Sequence, residues 1–415
     1  MVANRNGLVA ALDVGTSKVC CFVAKLDDHE KPRVVGIGHH VSKGVKSGTV
    51  VDMDEAEGVI RATVEAAERM AGERVHDVYV NVSSGQPKSE TFGVEVSTAG
   101  HEIGEEDIRR ILSVGRNQFD GGERLLLHAL PVGYSVDGVG GVREPRGLYG
   151  DRLSVDMHVV TTAASPVRNL QLCIERGHLG VANMCISAYA SGLACLEEEE
   201  TEMGVICIDV GGGATSIGVF IEGSLVFTDI VHIGGSHVTN DIAKGLLTPT
   251  VHAERIKSLH GSATAGVSDD ATTIQVPQFG EGGAEKSQTI TRAALNGIVR
   301  PRVQEILEHV RAKLHASGFD RIAGNSVVLT GGGAQLTGIR ELATDILDRQ
   351  VRIGRPTNLT GLAEATSGPA FATCAGLVRF AQLTEPERER ALAPKNLVAG
   401  VWRLGRIGRW LRDNF

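Results

Sequence analysis

The chain has 415 residues, 42% of them apolar and 22% charged, with a net charge of −8, which predicts roughly two to four globular domains and argues against general nucleic-acid binding. No apolar run approaches the ~20 residues that span a bilayer, and the first seven residues lack the apolar core of a signal peptide. Seven cysteines, an odd number with no C-x-x-C pair, exclude a disulfide framework or a zinc site and fit a reducing cytoplasm.

The first strong segment, Gly7 to Lys18, is an apolar strand that ends in Asp13 and a glycine turn. Strands are predicted at Val19–Lys25 and Arg33–Val41. Helical spacing of Met53, Ala56, Val59, Ile60, Val64, Ala67 and Met70 predicts a helix over 53–71, capped by Asp52 or Asp54. A strand follows at Asp77–Val82. Residues 86–163 break the pattern. They read as strand Glu90–Thr98, helix Glu105–Arg116, and strands Arg124–Val136 and Leu153–Thr161, with a loop at Gly138, Gly140, Gly141 and Pro145. That is a small α+β domain inserted in a larger unit. Ser165-Pro166 signals a helix start, with Ser at the cap, and Val181–Ile186 is a strand. Ser187 to Cys195 then reads as a helix of small residues, able to approach another helix closely. The acidic run Glu197–Glu200 is expected on a solvated helix end.

Val205 to Thr215 is an apolar strand ending in Asp209, then Gly211, Gly212 and Gly213, then a second strand through Ile221. A strand after the glycines, where a P-loop or dinucleotide fingerprint would have a helix, predicts a hairpin that wraps a phosphate beside a cation-holding Asp. The segment repeats the one around Asp13: Val9 to Thr16 aligns with Val205 to Gly212, and two strands and a helix follow in both cases. Two such halves predict a nucleotide held between them. Residues 244–320 form a second subdomain, with a helix at Thr250–Leu259 carrying Glu254 and Lys257. A polar loop, a strand at Thr272–Val276, a turn at Gly280–Gly283 and a long helix at Thr291–His315 complete it. Pro301 is expected to bend that helix or divide it. A third strand and glycine turn, Ser326 to Gln335, suits an adenosine or its α-phosphate. Gly368 to Leu377 is a second small-residue helix, expected to pair with the one at 187–196.

Thr384 to Lys395 is charged, contains two prolines and reads as a linker. In the tail Leu397, Val401, Leu404, Ile407, Leu411 and Phe415 share one helical face. Arg403, Arg406, Arg409 and Arg412 share the other, with Trp402 and Trp410 at the flanks. That pattern predicts a helix lying in a membrane interface, each arginine contributing about 1 kcal/mol at an anionic surface.

Asp13 to Lys18, Ser187 to Ala194, Asp209 to Thr215, Thr330 to Ala334 and Pro369 to Leu377 together resemble the five ordered motifs of the actin/Hsp70/sugar-kinase superfamily. His232 to Ala243, Ala253 to Lys257, Arg300 to Arg302 and the tail narrow the resemblance to the FtsA family of bacterial cell-division proteins, over nearly the whole chain. It implies an α/β fold of two actin-like (ribonuclease H-like) halves around a nucleotide cleft. Subdomain 1A would occupy 1–85 and 164–197, the inserted 1C 86–163, 2A 198–243 and 2B 244–320. Residues 321–383 would complete 2A and return to 1A, ahead of a linker at 384–396 and an amphipathic helix at 397–415. It also implies ATP and Mg²⁺ as ligands. Asp13 and Asp209 would hold the metal through waters, and Gly15, Thr16, Ser17 and Lys18 would meet the β- and γ-phosphates. Gly211, Gly212, Gly213 and Ala214 would face phosphate, Glu254 and Lys257 the ribose and adenine, and Gly331, Gly332 and Gly333 the adenosine. As an i, i+3 pair, Glu254 and Lys257 could equally form a surface ion pair. The implied partners are the FtsZ C-terminal peptide at 244–320, further copies in a filament, membrane lipids and later division proteins, at the cytoplasmic face of the inner membrane. No catalytic base is evident, so at most weak ATPase activity is expected. A sugar or acid kinase, and a pilus-assembly or shape-determining relative, are the alternatives.

Overall fold

In the computed structural model the described residues are 7–26, 31–119, 123–278 and 286–391. The predicted turn at Gly280–Gly283, the end of the linker and the amphipathic tail lie outside them. In the first half β1 (Leu8–Val14), β2 (Lys18–Lys25) and β3 (Arg33–Val41) form an antiparallel meander. A two-strand ribbon, β4 (Val45–Lys46) and β5 (Thr49–Val50), leads into α1 (Met53–Ala71). Asp52 is the cap, accepting the N–H groups of Asp54 and Glu55 at 3.1 and 3.0 Å. Strand β6 (Asp77–Val82) lies parallel to β1.

The insert comprises β7 (Lys88–Ser97), α2 (Glu105–Asn117), β8 (Arg124–Val136), β9 (Val139–Val142) and β10 (Arg152–Ala163), in sheet order β7-β10-β8-β9. Strand β9 falls where a loop was expected. Asp137 and Gly138, both at positive φ, make the two-residue Asp-Gly hairpin turn that signals such a pair. The first half resumes with α3 (Ala164–Arg176), β11 (Gly180–Ile186) and α4 (Ser187–Cys195). Helix α3 begins one residue before the predicted Ser cap, with Ala163 at that position. Pro166 still sits in the first turn, where its missing N–H has no partner to lose.

After α5 (Glu198–Met203), the second half repeats the first: β12 (Val205–Val210), β13 (Thr215–Ile221) and β14 (Ser224–Val231) form a meander. Helices α6 (Gly235–Gly245) and α7 (Thr250–His260), ribbon β15 (Thr273–Gln278) and β16 (Lys286–Thr291), and α8 (Arg292–Ser317) follow. Helix α8 continues across Pro301 rather than dividing there, its buried face running from Leu295 through Val303 to Leu314. Strand β17 (Ser326–Thr330), α9 (Ile339–Leu347) and β18 (Gln350–Ile353) complete the sheet. Its order β14-β13-β12-β17-β18 matches β3-β2-β1-β6-β11 of the first half strand for strand. Every residue of β1 and β12 is buried, as unbroken apolar runs at a sheet centre require.

The chain returns to the first half through a short turn, Pro369–Phe371, and α10 (Ala372–Ala391). The small-residue helix thus starts four residues later than predicted, and it extends through Thr384–Ala391, which was read as linker. Helices α4 and α10 cross between the two sheets. A Cβ at Gly376 would fall 1.6 Å from the carbonyl oxygen of Ala190, so glycine sets the helix separation. The insert leans on the second half, where Ser89 Oγ accepts the Thr228 N–H at 3.1 Å. Arg143 and Glu202, 2.5 Å apart, add a second tie.

Where the insert meets the core, two histidines are buried. His128 Nε2 accepts the Ile186 N–H at 3.0 Å, and His158 Nδ1 meets Thr91 Oγ1 at 3.0 Å. Burial lowers His128 to about 3 and His158 to about 4. Both are neutral when folded, and the unfolded chain takes up their protons as pH falls below the usual 6.5. Their stabilisation is therefore present above that value and is lost on acidification, by about 2 kcal/mol each at pH 5. Asp13, raised by burial to about 7, works in the opposite sense over the same window. The check is the slope of unfolding free energy with pH, which should be shallower in a His128→Gln, His158→Gln variant than in the native chain.

Candidate functional site

The two hairpins that open the halves are built alike. Val14 pairs with Val19 and Val210 with Thr215, leaving residues 15–18 and 211–214 as equivalent turns. Gly15 donates its N–H to Lys18 O at 3.0 Å, and Gly211 donates to Ala214 O at 2.9 Å. Those two amides close the turns, so the N–H groups left to meet a ligand in the second turn are those of Gly212, Gly213 and Ala214. The turns face one another across the cleft. A Cβ on Gly212 would lie 1.9 Å from Ser17 Oγ, and one on Gly213 would lie 2.4 Å from Thr16 Oγ1. Bare Cα atoms are needed for this approach.

Between the sheets lies a cavity of about 520 Å³ lined by both turns, Asp13, Asp209, Glu254, Lys257 and Gly331–Gly333. All the predicted nucleotide and metal positions thus border one space, although they are scattered over more than three hundred positions of sequence. Asp13 and Asp209 are only 8% and 7% exposed. Burial raises the pKa of both; the Lys18 ammonium opposes the rise at each, and at Asp13 the Asp209 charge adds to it. One ammonium against two buried carboxylates leaves a negative charge in the cleft, which a divalent cation fits. Among the described residues there is no cluster of three metal-ligating side chains. Asp13 and Asp209 are the residues here that could hold an ion such as Mg²⁺, which uses one or two carboxylates with phosphates and waters.

The remaining predicted residues are held firmly. Lys18 Nζ donates to Ala370 O and stands 3.3 Å over the Phe371 ring, an arrangement with cation–π character. Lys257 Nζ reaches Glu254 at 2.7 Å, Thr239 Oγ1 at 2.8 Å and Gly235 O at 3.1 Å. The Glu254–Lys257 pair therefore forms as an ion pair, and it does so on the cavity wall, pinning α7 to α6. Gly331 has φ +84° and ψ 169°, a region open essentially to glycine alone. A Cβ there would lie 2.2 Å from Asp209 Oδ1.

Several residues at the site were not singled out from sequence. Ser191 Oγ and Thr373 Oγ1 donate to Asp209 Oδ2 at 2.5 and 2.8 Å. Asn81 Oδ1, at the end of β6, accepts the Val14 N–H at 2.8 Å and braces the first turn. The N–H of Ser236 meets Gly212 O at 2.8 Å. Ser191 and Thr373 lie in segments already marked as small-residue helices. The spacing that flagged packing there could also have flagged two hydroxyls facing the crossing.

A family model described as "Cell division protein FtsA" matches residues 206–376, and one described as "SHS2 domain inserted in FTSA" matches residues 84–161. The curated cell division protein FtsA of Agrobacterium fabrum is 43% identical over 425 aligned positions, covering 100% of this chain and 96% of that one. The chain belongs to the FtsA family. The FtsA of Escherichia coli is 30% identical, with 98% of both chains covered. The inserted domain of the FtsA family accounts for residues that interrupt the first half. Solved structures share the fold at much lower identity. An MreB 5 of Spiroplasma citri bound to AMPPNP has a TM-score of 0.58 at 14% identity, covering 94% of this chain and 100% of that chain. A PilM-PilN type IV pilus biogenesis complex gives 0.60 at 15%, covering 90% and 98%. The actin-like fold is therefore common to FtsA and these neighbours, and the family is a cell-division family.

Proposed function

We propose that this member of the FtsA family binds ATP with Mg²⁺ between its two halves, assembles into filaments on the cytoplasmic membrane, and tethers FtsZ filaments there while later division proteins join. The observation that carries the nucleotide part is the cavity itself, where two hairpin turns, a third glycine turn and two buried aspartates converge. Asp13 and Asp209 would hold the cation, which would neutralise phosphate charge. Thr16, Ser17 and Lys18 would meet the β- and γ-phosphates with the amides of Gly212 to Ala214, and Gly331 to Gly333 would lie along the adenosine. The carboxylates at the cavity are Asp13, Asp209 and Glu254. Asp209 already accepts two hydroxyls and Glu254 pairs with Lys257, so the site favours holding ATP over turning it over rapidly.

The subdomain at 244–320 suits an apolar peptide segment. Leu247, Val251 and Leu259 are 68%, 79% and 63% exposed, on α7 and the loop before it. Membrane attachment is assigned to the arginine and tryptophan pattern of 397–415. Among the described residues no helix is long and apolar enough to cross a membrane.

The test is co-sedimentation with anionic vesicles, with and without ATP. The full chain should pellet with vesicles and form ordered arrays when ATP is present. A chain ending at residue 396 should stay in the supernatant, and its persistence on vesicles would remove the tail from the proposal. Rapid turnover stimulated by a small hydroxyl compound would instead favour a kinase of the same fold.

A further inference from the structure

The two aspartates of the cleft are equivalent in the duplicated fold, yet their surroundings differ. Asp209 is held by two hydroxyls. Ser191 comes from α4, which follows the first half's sheet, and Thr373 comes from the first turn of α10, which returns from the second half. Both donate to the same oxygen, Oδ2, at 2.5 and 2.8 Å. The two hydroxyls stand 3.0 Å apart. Each has a single proton, and with both given to the carboxylate that approach carries none. Ser191 is fully buried and Thr373 is 8% exposed, which shields both bonds from bulk water. The other oxygen, Oδ1, lies beside the bare Cα of Gly331. Asp13 has no hydroxyl donor of this kind among the described residues; burial and the charges of Lys18 and Asp209 are what act on it.

We infer that Ser191 and Thr373 are positioning residues that fix the rotation of the Asp209 carboxylate, making it the rigid ligand of the divalent cation while Asp13 stays free to adjust. The inference rests on the nucleotide-binding reading above. Its physical basis is that two donors anchored in different helices lock one buried carboxylate oxygen, where charge-assisted bonds are strong. The other oxygen is left with its lone pairs for the metal or a metal-bound water. Because the donors come from both crossing helices, the ligand is in place only while α4 and α10 keep the separation that Gly376 permits. Cation binding and the helix crossing are therefore linked through one carboxylate.

The experiment uses the full-length protein as native chain, Ser191→Ala, Thr373→Val, the double variant and Thr373→Ser. Affinity for a fluorescent ATP analogue is measured in Mg²⁺ and, separately, in EDTA. In Mg²⁺ the double variant should bind about ten-fold more weakly than the native chain, each single variant should fall between, and Thr373→Ser should recover native affinity. In EDTA all five should bind alike. Equal losses with and without Mg²⁺ would show a merely structural role and overturn the inference, as would native affinity of the double variant in Mg²⁺. If the native chain bound no nucleotide in either medium, the nucleotide reading itself would fall, a result distinct from both.

Discussion

Gly376→Ala is expected to be the most damaging single methyl in the core, costing about 3 kcal/mol or more. Its Cβ would sit 1.6 Å from the Ala190 carbonyl, and the obstacle is backbone, which no rotamer change can move aside. Relief would require α4 and α10 to separate, and both are packed against the sheets at buried Ala188, Ala194, Ala372 and Ala375. The check is a denaturant or thermal melt beside Gly58→Ala. Gly58 lies within α1 and a Cβ there meets nothing within 4 Å. At that site the methyl should stabilise by up to about 1 kcal/mol through helix propensity. Opposite outcomes for one chemical change in two helices would isolate the crossing as the cause.

Gly331→Ala should cripple nucleotide binding while leaving most of the fold intact. Ala at φ +84° and ψ 169° carries backbone strain of about 1–3 kcal/mol. Its methyl would also strike Asp209 Oδ1 and the Val210 carbonyl. Either the glycine turn moves away from the adenosine position or Asp209 rotates off its hydroxyls. Both distort the site, and restoring it on binding would cost that strain, a loss of ATP affinity of about five-fold or more. Titration with a fluorescent ATP analogue measures it. Gly58→Ala is the matched control, because Gly58 does not line the cavity and a Cβ there meets nothing within 4 Å. Native-like affinity of Gly331→Ala would count against the glycine turn as an adenosine surface.

The halves and their glycine turns were legible in sequence because each rests on local signals: an apolar run buried on both faces, an acid at its end, and glycines that only a turn explains. The repeat then placed Asp13 and Asp209 opposite one another. What escaped notice has a common physical origin. Strand β9 is too short and glycine-rich for an alternating pattern, although the Asp137-Gly138 turn carried its signal. Ser191, Thr373 and Asn81 act through partners far away in sequence, and a hydroxyl in a small-residue helix looks the same whether it fills space or holds a carboxylate. The start of α3 was misplaced by two residues because Ser165-Pro166 suits the first turn as well as the cap. Pro301 was expected to bend α8 or divide it, and of the two the division does not occur: the helix continues across it with its apolar face buried on both sides.

The contact of Gly212 and Gly213 with Ser17 and Thr16 also works as a mechanical end-stop. Atoms already touching cannot come closer, so the tightest state of the cleft at that point is set by the protein and not by whatever occupies it. A ligand can hold the jaws at this limit or prop them apart, but it cannot draw them further together. On the proposed nucleotide reading, any difference that the halves register between a shorter and a longer phosphate chain would be read as departure from a fixed gauge.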